Sequence, residues 1–78
     1  MTIDEIKTEI ARLNGKQRAA LRDRFFGRQI TYMRCREFYG CVNGVHVMFD
    51  GGVHYNVEIG PRGALKRVEC CGRFQAGA

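Results

Sequence analysis

The first apolar positions of the chain recur with the period of an amphipathic helix. Thr2-Ile3-Asp4-Glu5 is a capping box, in which the Thr2 and Glu5 side chains each accept a hydrogen bond from the other residue's backbone amide. The apolar side chains that follow fall within about 80° of one another at ~100° per residue: Ile3, Ile6, Ile10 and Leu13. The pattern predicts a helix that ends at Asn14-Gly15.

A second helix is predicted from Lys16 to Phe26, where Leu21 and Phe25 lie one turn apart. Its apolar side is less regular, because arginines project between the apolar positions. With a connection of about two residues, the two helices form an αα-hairpin over residues 1–27.

From about Arg34 onward, short runs rich in β-branched and aromatic residues alternate with turn signals. The turn signals are Asn43-Gly44, Asp50-Gly51-Gly52 and Gly60-Pro61-Arg62-Gly63. An Asn-Gly pair between two valines is the strongest short signal for a hairpin. The pattern predicts a four-stranded antiparallel meander over residues 34–71.

The alternation of apolar and polar residues selects the register of the middle hairpin. A three-residue loop over residues 50–52 places Val47 opposite Tyr55 and Val45 opposite Val57, which makes one face apolar. A two-residue loop would mix the faces, because a slip of one residue turns every side chain over. Extending this register through the neighbouring turns adds four residues to the buried face: Phe38, Val42, Val68 and Cys70.

These elements predict an α+β fold, with the N-terminal helical hairpin packed on one face of the four-stranded meander. A single sheet cannot hide an apolar face alone, so the helices must cover it. Residues 1–71 are expected to form one small domain and residues 72–78 a flexible tail. The segment 27–33 has two alternatives: a strand, favoured by Ile30-Thr31-Tyr32, or a continuation of the second helix.

The composition indicates a soluble protein with an anionic partner. The net charge is +5, and ten of the thirteen basic residues are arginines, whose planar donors suit phosphates and carboxylates. A general preference for arginine as the cation would give the same composition. No apolar run exceeds three residues and the start lacks the layout of a signal peptide, so we expect no membrane association and a cytoplasmic location. The four cysteines lack zinc-finger spacing and are expected to stay free.

Few residues favour catalysis or metal binding. On the outer face of the predicted sheet, Cys41 would lie across from His46 and Glu69 across from His54. Cys41 and Glu69 would be on the first and fourth strands, about 14 Å apart, which is too far for one ion. A site of Cys41 with the two histidines, on a strongly twisted sheet, is the alternative. The chain has no serine, and Cys41 beside His46 is the only candidate nucleophile and base. We therefore expect no metal, no cofactor and no enzymatic activity.

A basic and aromatic segment is the first candidate binding site. Six residues cluster where the helices meet the sheet: Arg24, Arg28, Tyr32, Arg34, Arg36 and Tyr39. Arginines on phosphates and tyrosines on bases are a common way to hold single-stranded nucleic acid. The sequence therefore predicts a non-catalytic module that binds nucleic acid or a nucleoprotein complex. The alternative is structural, with the aromatic rings in the core and the arginines extending from a solvated edge.

The outer sheet face is the second candidate. It would carry eight residues and no lysine: Tyr39, Cys41, His46, Met48, His54, Asn56, Leu65 and Arg67. Enrichment in Tyr, Met and Arg with depletion of Lys is typical of protein interfaces. The alternative function is therefore a small inhibitor or adaptor, of the kind found in phage-like elements. It would bind a protein partner, or a second copy of itself, through four residues: Met48, His54, Asn56 and Arg67.

Overall fold

The computed structural model describes residues 1–38 and 40–73 of the chain, apart from the side chains of Phe38 and Arg73. Two helices are followed by four strands: α1 Ile3–Ala11, α2 Gly15–Arg24, β1 Ile30–Phe38, β2 Cys41–Phe49, β3 Val53–Ile59 and β4 Leu65–Arg73. The strands form one antiparallel sheet in the order β1-β2-β3-β4. The predicted α+β fold, with N-terminal helices and a four-stranded meander, is confirmed.

The helix boundaries differ from the prediction at the connection. α1 begins at the predicted capping box of Thr2 and Glu5, but it ends at Ala11. Asn14, predicted to end α1, instead caps α2: its side chain accepts from the Gln17 amide, and the Gln17 side chain accepts from the Asn14 amide. Asn-x-x-Gln is itself a capping box, so this segment starts a helix. α2 is also shorter than predicted and ends at Arg24.

The first hairpin turn is not where the sequence signal placed it. Asn43 and Gly44 lie inside β2, which begins at Cys41 directly after the turn residue Gly40, so the predicted Asn43-Gly44 turn is wrong. Gly40 has a φ of +79°, a left-handed conformation that glycine adopts at no steric cost. Asn43 is the extra residue of a β-bulge, because Arg36 pairs with Gly44 whereas Glu37 pairs with Val42.

The middle hairpin has the predicted register. Val47 pairs with Tyr55 and Val45 with Val57, across a loop of residues 50–52. The Gly52 amide donates to the Phe49 carbonyl and closes the turn. β1 begins at Ile30, so the strand is the correct alternative for most of segment 27–33.

The core lies between the helices and one face of the sheet. Its largest fully buried side chains are Phe49, Leu13, Met33, Ile59 and Val47. Gln17 ties α2 to the sheet, because its Nε2 donates to the carbonyls of Val42 and Ile59. Ile3, which was predicted to belong to the buried stripe, is 67% exposed.

The edge strand β4 departs from the prediction in two ways. Cys70 pairs with Tyr55 on the helix side of the sheet, as predicted, but it is exposed because an edge strand is covered less well than a central one. Gly72 and Arg73 belong to β4 and not to a tail. Residues 74–78 of the predicted tail, the predicted buried side chain of Phe38 and the whole of Tyr39 lie outside the described residues. In the part of the chain that is described, no helix has the length and apolar character needed to cross a bilayer.

Candidate binding face

Most of the candidate residues lie on the sheet face opposite the helices, which we call the outer face. Side chains directly opposite one another on antiparallel strands share a face, and the strand pairing therefore orders them in rows. The rows are Tyr32, Met48 and His54; Arg34, His46, Asn56 and Glu69; and Arg36, Gly44, Glu58 and Arg67. On β1, the outer-face residues Tyr32, Arg34 and Arg36 alternate with Met33 and Cys35. Met33 and Cys35 are buried on the helix side.

The rings of Tyr32 on β1, His46 on β2 and His54 on β3 lie next to one another across two neighbouring rows of strand pairs. We call this set of three rings the aromatic row. The ring centroids of Tyr32 and His46 are 5.9 Å apart in an edge-to-face arrangement, and those of His46 and His54 are 5.3 Å apart and stacked. All three side chains are half-buried. At a strand spacing of ~4.8 Å, the row spans about 10 Å of the outer face.

The two histidines are held against each other by a hydrogen bond. Nε2 of His46 and Nδ1 of His54 are 3.0 Å apart, so one imidazole donates to the other. Burial, followed by the nearby charges of His54 and Arg36, lowers the pKa of His46. His46 is therefore neutral at pH 7, and it contributes a ring surface to the outer face without adding charge.

The charge on the outer face is not uniform. Arg34 and Arg36 are both exposed on β1, and hydrogen bonding with the side chain of Tyr32 raises the pKa of Arg34. At the other side of the sheet, Arg67 lies 4.0 Å from the carboxylate of Glu69, with Glu58 opposite it on β3. The β1 side is therefore basic, and the β3–β4 side carries both signs.

A hollow of about 240 Å³ lies beside the aromatic row, where Gly44 contributes no side chain. The polar side chains that line it are Arg36, His46, Asn56, Glu58, Arg67 and Glu69. Together they offer donors and acceptors of the kind that recognise the edge of an exposed base.

The structure divides the first predicted site between two surfaces. Tyr32, Arg34 and Arg36 lie on the outer face. Arg24 and Arg28 lie on the helix side, with their guanidinium carbons 5.2 Å from the Phe25 ring centroid and 4.9 Å from the Phe49 ring centroid, respectively. Tyr39 lies outside the described residues, so the structure brings three of the six predicted residues together.

The second predicted site lies wholly on the outer face, among the residues of the first. Met48, His54, Asn56 and Arg67 all belong to its rows. Leu65, predicted for this face, packs against the core instead. The residues predicted to bind do not include His46, Glu58 or Glu69, although the sequence analysis placed His46 and Glu69 on the outer face.

The predicted opposition of Cys41 and His46 is wrong, because it depended on a turn at residues 43 and 44. Cys41 pairs with Phe38, and His46 pairs with Arg34 and Asn56. Glu69 is opposite Asn56 and not opposite His54. Within residues 1–38 and 40–73, no group of three or more His, Cys, Asp or Glu side chains is arranged to hold a metal ion.

Comparison of the chain with protein-family models, with curated proteins and with solved structures finds no match. A function for this fold therefore has to be argued from its own residues.

Proposed function

We propose that the protein binds single-stranded nucleic acid, free or within a nucleoprotein complex, on its outer face. It acts as a binding module in the cytoplasm, without catalysis or a cofactor. The observation that carries the proposal is the aromatic row of Tyr32, His46 and His54 beside the exposed Arg34 and Arg36. Unpaired bases stack on aromatic side chains, and arginines hold the phosphates that run beside them. The net charge of +5 favours the encounter.

The distribution of charge sets the path of the bound strand. Phosphates follow β1, where Arg34 and Arg36 are exposed, because Glu58 and Glu69 repel them from the opposite side of the sheet. The bases then extend from β1 across the aromatic row. The hollow at Gly44 adjoins this row and takes the edge of one base, within reach of Asn56 and the charged groups around it.

A protein partner on the same face is the second candidate function. It is favoured by the half-buried Met48 at the centre of a row and by the carboxylates of Glu58 and Glu69 among the arginines. A face of mixed charge with an apolar centre is suited to a protein surface of complementary charge. Under this alternative, binding depends on Met48, His54, Asn56 and Arg67, and it weakens with salt much less steeply than phosphate contacts do.

Fluorescence anisotropy with labelled, mixed-sequence DNA and RNA strands at several salt concentrations tests the proposal. Replacing Arg34 and Arg36 together with Ala should lower the salt slope by about 1.4, since each phosphate contact on a single strand contributes ~0.7. The matched control replaces Lys7 and Arg62, which are exposed on α1 and in the β3–β4 loop. It removes the same charge from other surfaces and should leave the slope nearly unchanged.

Tyr32→Ala tests the stacking part of the proposal. It should weaken binding by about 1–3 kcal/mol, with little dependence on salt, because base stacking does not release counterions. Phe26→Ala is its control, because Phe26 is 82% exposed and does not belong to the outer face.

Two results would contradict the proposal. If the control variants lost as much affinity and salt slope as the outer-face variants, any basic surface would suffice for binding. No binding at low salt would reject nucleic acid as the ligand and favour the protein partner. Affinity capture from nuclease-treated lysate, compared between the wild type and Met48→Ala, would then test that alternative.

A further inference from the structure

A second concavity lies on the helix side of the molecule, where the C-terminal half of α2 meets the start of β1 and the end of β2. Its volume is about 390 Å³, within the range of ~300–1,000 Å³ typical of small-molecule sites. We call it the helix-side cavity. Its apolar lining is formed by Ile10, Leu13, Leu21, Phe25, Ile30 and Phe49.

One side of α2 and its C-cap lines the cavity. Arg18, Leu21, Arg22 and Phe25 are three or four residues apart and therefore share one face of the helix. Leu21 and Phe25 are the buried apolar residues of this face. Phe25 and Phe49, with ring centroids 4.7 Å apart, contribute aromatic surface to its wall.

Three arginines line the rim of the helix-side cavity: Arg18, Arg22 and Arg28. None of the lining residues that the structure describes is acidic. Arg18 donates through Nη1 to the Leu13 carbonyl at 2.8 Å, and Arg28 donates to the Tyr55 hydroxyl at 3.4 Å. Since each guanidinium has five N–H donors, both retain donors for a ligand.

Arg22 is the most available of the three cations. Its side chain is 74% exposed, and the Asp23 carboxylate that it approaches, at 3.8 Å, is 75% exposed. Such a surface pair is weak, so a ligand carboxylate replaces it at little cost. Bidentate pairing with a guanidinium gives that carboxylate a defined orientation.

We propose that the helix-side cavity binds a small amphiphile with an anionic head group and a short apolar chain. The head lies between Arg22 and Arg28, and the chain lies along the half-buried Ile10 and Ile30, above the buried side chains of Leu21 and Phe25. The volume selects a small molecule over a peptide or a nucleic acid strand, and the charge complementarity selects an anion. The site is on the opposite side of the sheet from the outer face and does not depend on the function proposed there.

Octanoate and 1-octanol are suitable probes, because they share a chain length and differ in the charge of the head group. In a titration of the ¹⁵N-labelled protein, octanoate should shift the backbone amides of Leu21, Phe25 and Ile30 in a saturable way. It should bind about tenfold more tightly than 1-octanol, since hydrogen bonds between charged groups are about twice as strong as neutral ones. Acetate, which has the head group alone, should not saturate the site.

Arg22→Gln should reduce the affinity for octanoate several-fold and leave that for 1-octanol unchanged. This variant is preferred to Arg28→Gln because Arg28 packs on the Phe49 ring and its loss would also disturb the core. Arg24→Gln is the matched control, since Arg24 is on the same helix and does not line the cavity.

Three results would overturn the proposal: equal affinities for octanoate and 1-octanol, shifts confined to residues outside the helix-side cavity, or an equal loss of octanoate binding in Arg24→Gln. The second result would place the ligand outside the cavity, and the other two would show that the arginines of the rim do not select the head group.

Discussion

Phe49→Ala is the substitution that most directly tests the packing of the helices on the sheet. Phe49 is 1% exposed, and its ring centroid lies 4.7 Å from that of Phe25 and 6.0 Å from that of Tyr55. The guanidinium of Arg28 covers the ring at 4.9 Å. Truncation of a buried Phe costs about 3–5 kcal/mol. We expect the upper part of this range, because each aromatic pair adds ~0.5–1.5 kcal/mol beyond the buried area.

A domain of this length has a free energy of unfolding of about 4–12 kcal/mol at ~0.05–0.15 kcal/mol per residue. Phe49→Ala should therefore remove a large share of the stability or all of it. Urea unfolding followed by circular dichroism measures the loss, with Met48→Ala as the control on the adjacent residue. Met48 is half-buried on the outer face, so its truncation should shift the midpoint much less. Similar midpoint shifts in the two variants would refute the assignment of Phe49 to the core and Met48 to the outer face.

Two further predictions concern local stability and pH. Asn14→Ala should destabilise the fold by about 1–2 kcal/mol, because it removes the α2 cap and the hydrogen bond from Asn14 Nδ2 to the Pro61 carbonyl. Asn14→Asp keeps the cap acceptor, so its melting temperature should fall less than that of Asn14→Ala. Burial raises the pKa of the Cys35 thiol from 9.0 to about 11, so the folded state holds that proton more tightly than the unfolded state. Stability from this group should be complete below pH 9 and fall as pH rises towards 11, and urea midpoints over this range should fall less in Cys35→Ala.

The elements that the sequence predicted correctly depend on local patterns. The Thr2–Glu5 capping box and the helical period need only neighbouring residues, and the three-residue loop follows from alternation within a single hairpin. The Asn43-Gly44 signal is equally local, but β1 and β2 pair through a turn at Gly40 and absorb Asn43 as a bulge. Turn propensity does not reveal this outcome, because the partner strand decides which residues pair.

The candidate site was predictable to the extent that the middle hairpin defines it. Met48, His54 and Asn56 follow from the register of that hairpin alone. Arg24 and Arg28 were grouped with Arg34 because they are near in sequence, but the end of α2 and the turn after it place them across the sheet from the outer face. Nearness along the chain did not imply a shared surface where a helix ends and a strand begins.

The bulge at Asn43 takes up the one extra residue of β2 between the turn at Gly40 and the outer-face residues that begin at Gly44. Deletion of Asn43 tests whether the fold needs this extra residue. The pairs on its two sides are Glu37 with Val42 and Arg36 with Gly44, so a strand without Asn43 would keep both in a regular ladder. The deletion also removes a buried Oδ1 that has no hydrogen-bond partner, and such an atom costs ~1–3 kcal/mol.

Removal of the unpaired Oδ1 stabilises the folded state, whereas loss of the bend that the bulge introduces destabilises it. Because the two effects oppose each other, we expect deletion of Asn43 to change the unfolding free energy by about 1 kcal/mol or less. Deletion of Met48 is the control. It would shift Phe49 by one position and turn it from the core to the outer face, which should unfold the domain. If the two deletions were equally damaging in thermal melts, the bulge would have a structural role beyond register. The alignment of Arg36 with Gly44 would then depend on the bend at Asn43 and not on strand pairing alone.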